Sequence, residues 1–172
     1  IHSSEPKRKK DENGKTISNK ANDEDASYTS KRGRKHHGYK IHIATDTNSI
    51  IKEVITTTAK THDSTQFDEL IKDETKAVFA DSGYMSQERK RTLRSKGIFN
   101  GITERRVRGQ SKLRTKQSKN NTKFSKVRAL VELPFAFIKK LMKYTETKYL
   151  GLHKNSQHVF LIAAAYNLRR MP

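Results

Sequence analysis

Between positions 125 and 139 the chain reads Ser125-Lys126-Val127-Arg128-Ala129-Leu130-Val131-Glu132-Leu133-Pro134-Phe135-Ala136-Phe137-Ile138-Lys139. Wound as an α-helix, Arg128, Glu132 and Lys139 fall within roughly 40° of one another. Val127, Val131, Pro134, Ile138 and Leu141 gather on an adjacent stripe, the side that faces a core. One carboxylate therefore stands between two cations at the border of an apolar face. Two readings fit. An Arg–Glu pair at i,i+4 is an ordinary feature of an exposed helix, and it contributes only a few tenths of a kcal/mol. The other reading is an acidic metal ligand flanked by cations aimed at phosphate.

A second acid, Asp81, closes the short apolar run Lys76-Ala77-Val78-Phe79-Ala80 and precedes Ser82-Gly83-Tyr84. In open α/β sheets ligands bind outside the carboxyl ends of strands. An Asp there is a turn former or, with a helical carboxylate beside it, part of a divalent-cation site. Two such cations activate a water or hydroxyl and stabilise the leaving oxygen of a phosphodiester. Mg²⁺ keeps several waters, so two or three carboxylates suffice.

The elements that must carry these acids follow from periodicity. Tyr39, Ile41, Ile43 and Thr45 alternate with Lys40, His42, Ala44 and Asp46 as in a half-buried strand. Thr47-Asn48-Ser49 turns the chain, and Ile50 to Thr58 reads as the returning strand of a hairpin. His62-Asp63-Ser64 supplies N-cap chemistry ahead of Phe67, Leu70 and Ile71. The run at 76–80 reads as a buried parallel strand. A helix follows from about Ser86 and stops at Gly97, and Ile98 to Ile102 reads as a further strand. Pro134 should weaken or bend the first turns of the Glu132 helix. Asn155-Ser156 is expected to cap a last apolar helix, Val159 to Leu168, packed in the core. Hairpin first and alternating strands and helices afterwards describe a mixed α/β sheet.

Charge narrows the partner. Lys and Arg total 37 against 18 Asp and Glu, a net charge of +19. A surface that positive repels itself unless a polyanion neutralises it, which makes nucleic acid the first partner to consider. There is no Cys, so disulfides and thiolate metal sites are excluded. The longest apolar run, Val159 to Tyr166, is too short to span a bilayer, so no membrane partner is expected. One folded domain preceded by a flexible segment is expected. Residues 1–37 read as a polar, basic, flexible segment, and 38–172 as the folding unit, with a mobile basic loop inserted at 103–126.

The motifs GYKIHIATD, THDSTQFDEL, VFADSGY, SKVRALVELPFAFIK and YLGLHKNSQ occur in that order. Together they resemble bacterial insertion-element transposases of the DDE class, with the resemblance running from about residue 38 to 170. The Arg-x₃-Glu-x₆-Lys spacing is its most specific part. Some branches carry Tyr three residues before that Arg, where this chain has Ser125. The resemblance implies a ribonuclease-H-like fold, a mixed sheet flanked by helices. It makes Asp81 the second acid of the catalytic triad and Glu132 the third, together binding Mg²⁺ or Mn²⁺. Arg128 and Lys139 would contact DNA near the cleaved strand, and Arg105, Arg106 and Lys126 its backbone. The implied reaction is hydrolysis at the element's ends, then attack of the freed 3′-hydroxyl on target DNA. Double-stranded DNA, a homo-oligomer assembled on it, and a cytoplasmic, nucleoid-associated location follow. His62 and Asp63 match a recurring motif, for which helix capping is the favoured role.

The family's first catalytic Asp lies a few residues ahead of a segment like Ile1-His2-Ser3-Ser4, and the chain opens on Ile1 rather than Met. The expectation is an N-terminally truncated, inactive copy lacking its first strand. The alternative is a non-catalytic DNA-binding remnant that inhibits a full-length relative. Asp46 ends a strand but belongs to the family's second strand and is no substitute.

Overall fold

The period-two run around Tyr39 builds the central strand of the molecule. In the computed structural model, which describes residues 1–5, 9–10, 12–13, 16–17, 22–31, 33–106 and 108–171, that strand extends from Arg34 to Thr45. The strands are β1 (Lys9–Lys10), β2 (Thr16–Ile17), β3 (Ser27–Lys31), β4 (Arg34–Thr45), β5 (Ile51–Thr58), β6 (Ala77–Val78) and β7 (Phe99–Asn100). The helices are α1 (Gln87–Ser95), α2 (Thr115–Arg128), α3 (Glu132–Ala136) and α4 (Leu152–Arg170). β4 pairs antiparallel with β3 through its first half and with β5 from Tyr39↔Thr58 to Thr45↔Ile51, with a register shift at Ala44/Thr45. β6 and β7 pair in parallel. The architecture is mixed α/β, with three small sheets among the described residues.

The expected hairpin is present. Its turn is held by the Asp46 carboxylate, which accepts from the backbone N–H groups of Asn48 and Ile50, both at 2.9 Å. Ser49 adopts a left-handed φ of 64° and is fully buried. A stretch before β4 also joins the sheet, since Tyr39 N–H donates to Ile1 O at 3.0 Å and Ser3 N–H to His37 O at 2.9 Å. Its other side is stitched to the strand-like stretch at 145–147, with His2 N–H donating to Thr145 O.

Two cores result. The larger gathers Ile43, Ile51, Ile138, Tyr144, Val159, Ile162, Ala163 and Tyr166 between β4–β5 and α4. The smaller holds Phe67, Leu93, Ile98 and Ile102 beneath α1. Helix α1 starts and stops where the residue types require. Ser86 Oγ accepts from Arg89 N–H at 3.0 Å as N-cap. At the other end Gly97, at φ 66°, allows the chain to reverse, so that Gly97 N–H bonds Arg94 O and Ile98 N–H bonds Leu93 O. That is a Schellman closure with its apolar contact, Leu93 against Ile98.

Five expectations are corrected. Residues 22–31 are not a flexible tether: Asp23 is buried, and its carboxylate accepts from Ser3 Oγ, Tyr39 Oη at 2.6 Å and Gly151 N–H at 3.0 Å. Asp25 accepts from Leu152 N–H at 2.7 Å. Two acids at the positive end of α4 satisfy its orphan donors. They offset the poverty of apolar residues that made the stretch look unfoldable. The parts of that segment at 6–8, 11, 14–15, 18–21 and 32 lie outside the described residues.

Second, α4 begins at Leu152, and Asn155 is a buried connector, donating to Tyr149 O and Gly151 O and accepting from Tyr144 Oη. Third, only one face of α4 enters the core, and Phe160, Leu161 and Leu168 on the other are 65%, 64% and 74% exposed. Fourth, the stretch read as a mobile loop at 103–126 contains most of α2. The helix expected after His62 is, in turn, a single 3₁₀ turn, Asp63–Gln66.

Candidate active site

Glu132 stands on a helix whose pitch changes twice. Beyond α2 comes a 3₁₀ turn at Ala129–Val131, then α3, then a wide π-type turn at Phe137–Leu141 closed by Met142 N–H to Phe137 O at 3.0 Å. Proline explains part of this. Pro134 has no N–H to give the carbonyl four residues earlier, Leu130 O. Ser49 Oγ takes that place, donating to Leu130 O at 2.8 Å while lying 2.9 Å from Tyr166 Oη. The β4–β5 turn, the Glu132 helix and α4 therefore meet at one buried hydroxyl.

The simple 40° alignment expected for Arg128, Glu132 and Lys139 is modified accordingly. A 3₁₀ turn advances about 120° per residue rather than 100°, so Glu132 is rotated away from Arg128. Their N–O distance is 3.9 Å, with side chains 34% and 66% exposed. This pair is weak, which leaves both groups available to a ligand. Lys139 is exposed on the wide turn, and its charge lowers the pKa of the Ile1 ammonium and of His2, after the larger effect of burial in each case.

Asp81 emerges at the carboxyl end of the parallel pair, where the sheet ladder continues through Gly101 N–H to Val78 O and Thr103 N–H to Ala80 O. It caps the 3₁₀ turn Ser82–Tyr84, one carboxylate oxygen accepting from Ser82 N–H at 2.6 Å, and its side chain is exposed. Burial raises the Tyr84 hydroxyl pKa, the Asp63 and Asp81 carboxylates raise it further, and Arg89 opposes them. Arg89 fixes this corner. Its guanidinium lies 4.3 Å over the Phe67 ring and donates to Ser64 O and Tyr84 O. Asp63 is held by Lys40 at 3.0 Å, and His62 Nδ1 accepts from Ser64 N–H. His62 is thus the cap of the 3₁₀ turn, while Asp63 stands in its first turn as the ion partner of Lys40.

Helix α2 spans the two halves. Phe124 packs edge-on against Phe79 and Phe99, at 5.7 and 5.9 Å between ring centroids. Gln117 and Asn121 both donate to Glu104. A Cβ at Gly101 would stand 2.4 Å from the Phe79 ring, so only glycine allows the aromatic cluster to close. Arg105, Arg106 and Lys126 are exposed, with Arg106 also bonded to Ser111 O. Asp81 and Glu132 present exposed carboxylates, a donor type suited to a hard cation that keeps several waters. No group of three or more His, Asp or Glu among the described residues forms a metal cluster. The donor chemistry fits such a cation, but the cage is open.

The chain matches the family described as Transposase DDE domain over residues 8–168. It belongs to that family. Asp81 and Glu132 both lie inside the matched span of this transposase domain. It is also 32% identical over 148 residues to the transposase for insertion sequence element IS1106 of Neisseria meningitidis serogroup B, covering 85% of this chain and 51% of that protein. The chain thus spans about half the length of that relative. No solved structure matches it. No helix among the described residues is long and apolar enough to cross a membrane.

Three supporting residues escaped the sequence reading: Ser49, Arg89 and Asp23. Pro134 signals that Leu130 O needs another donor, but not which one. Arg89 looks like any surface cation of an amphipathic helix, and Asp23 like any acid of a polar run.

Proposed function

We propose that this chain is the catalytic part of an insertion-element transposase, acting on double-stranded DNA through a ribonuclease-H-like arrangement. Antiparallel β4–β5, parallel β6–β7 and flanking helices supply the strand directions of that arrangement, while the two pairs lie in separate sheets rather than one mixed sheet. The observation that carries the reading is the family match over 8–168, with an exposed acid at a strand end and another on a helix at the motif positions. Asp81 and Glu132 would hold Mg²⁺ or Mn²⁺, whose bound form activates the attacking oxygen and stabilises the leaving one. Arg128 and Lys139 would neutralise the phosphates beside the scissile bond, while Arg105, Arg106 and Lys126 position the backbone without reading sequence. In the first step water oxygen bonds to phosphorus and the 3′ oxygen leaves, taking a proton. In the second the oxygen of that 3′-hydroxyl would bond to a target phosphorus and lose its proton, while the 3′ oxygen of the target strand leaves and takes up a proton. A homo-oligomer would bring two ends together on nucleoid DNA.

The resemblance puts a first acid ahead of Ile1. Residues 1–172 by themselves are therefore expected to bind DNA without cutting it. The test is plasmid nicking with Mg²⁺ or Mn²⁺. Residues 1–172 should show background only. The same residues preceded by the relative's upstream segment should nick, and Asp81→Asn or Glu132→Gln should return them to background. Nicking untouched by Glu132→Gln would remove Glu132 from the site. Cleavage by residues 1–172 alone would overturn the need for a third acid.

A further inference from the structure

Helix α2 reads Thr-Lys-Gln-Ser-Lys-Asn-Asn-Thr-Lys-Phe-Ser-Lys-Val-Arg, with four lysines, one arginine and no acid. At 100° per residue Lys116, Lys119, Lys123 and Lys126 fall within roughly 80° of one another. Gln117, Asn121 and Phe124, the residues that hold α2 to Glu104, Phe79 and Phe99, are centred about 150° away. All four lysines are exposed, and three of them line an open concavity with Thr115, Asn120 and Thr122. A helix so poor in apolar residues is fixed to the body by one face and presents an unbroken row of cations on the other. None of the four is paired with an acid in an ion bridge among the described residues.

We propose that the outer face of α2 is a rail for the backbone of double-stranded DNA. Resting on the reading of DNA as substrate, this deepens it by assigning Lys116, Lys119 and Lys123 together with Lys126. Lys116 and Lys126 are separated by about 15 Å along the helix axis, at 1.5 Å per residue. On a duplex rising 3.4 Å per base pair that is about four base-pair steps of its axis. On the same wheel Arg128 and Glu132 lie about 160° from the centre of the row, so the lysines define a face of their own, separate from the one that carries the candidate acid. Such contacts are electrostatic and sequence-independent, and each neutralised phosphate should add about 0.9 to the slope of log K against log salt.

The test is fluorescence anisotropy of the whole chain with a labelled duplex from 50 to 300 mM salt (about the range over which such binding responds). Two variants are compared with it. One carries Lys116→Gln, Lys119→Gln, Lys123→Gln and Lys126→Gln. The other carries Lys60→Gln, Lys76→Gln, Lys148→Gln and Lys154→Gln, four exposed lysines elsewhere. Glutamine keeps helix propensity close to that of lysine, and circular dichroism confirms that both variants fold. The rail variant should lose about 3 to 4 from the slope and bind about tenfold or more weaker at 100 mM salt, the control much less. Equal losses in the two variants, or an unchanged slope in the rail variant, would overturn the rail while leaving DNA as partner. No binding by the parent chain would overturn both.

Discussion

Glu132 and Asp81 belong to halves that are held together in different ways. The Glu132 half is tied at long range: Ser49 meets Tyr166, and the Asn167 side chain bonds both backbone groups of Ile51, across 116 or more positions of sequence. The Asp81 half is assembled within one stretch from Phe67 to Ile102 and has four buried apolar residues where the other has eight. A site shared by the two is only as well formed as the join between them. The difference teaches that the acid easier to find in the sequence sits on the better-tied frame, and that α2 carries much of the burden of alignment.

The comparison can be broken first at the cores. Ile162→Ala should cost about 2–5 kcal/mol in denaturant melts, with amides of β4, β5 and α4 losing protection together. Leu93→Ala should fall in the same range locally, yet speed hydrogen exchange chiefly in α1 and β7, because smaller cooperative units open below the global limit. Equal loss of protection everywhere in both variants would mean the halves are one unit. A finer test concerns the proline-generated vacancy. Ser49→Ala takes the hydroxyl partner from both Leu130 O and the buried Tyr166 Oη and should cost about 1–3 kcal/mol. In a Pro134→Ala background the restored N–H can serve that carbonyl, so the cost should shrink. Strict additivity within about 0.5 kcal/mol would refute the coupling.

The smallest effect probes the join. His42 is buried on β4, 2.9 Å from Thr57 Oγ1. Burial lowers its pKa, Lys40 adds to that, and Asp63 and Glu69 oppose it. The unfolded chain, titrating near 6.5, therefore takes up the proton first as pH falls. Stability should decline below about pH 6.5 until folded His42 protonates, and be fully present above it. His158 and His2 are shifted the same way, so His42→Gln should flatten the Tm–pH profile between pH 5 and 7 in part. An unaltered profile would detach His42 from it.

Legibility followed how local the cause was. The β4–β5 hairpin announced itself through alternation, and α1 through Ser86 and Gly97, because those signals act within a few residues. Helix α2 did not, since its only large apolar anchors are Phe124 and Val127, and it is held by contacts to Phe79, Phe99 and Glu104. Asp23 was unreadable for a related reason, its partner Gly151 lying 128 positions away. At the site, the strand-end position of Asp81 and the helical position of Glu132 were readable. The pitch changes around Glu132 depend on a hydroxyl from another element and were not.

The uncovered side of α4, with Phe160, Leu161 and Leu168, has a consequence for handling the molecule. At low ionic strength a charge of +19 keeps copies apart. Screening shortens that repulsion to about 10 Å at 0.1 M salt and about 3 Å at 1 M, while stickiness between greasy surfaces persists. Salt concentrated enough to strip such a charge from a polyanion therefore also lets the molecules cling to one another, and solubility and release from any polyanion pull in opposite directions.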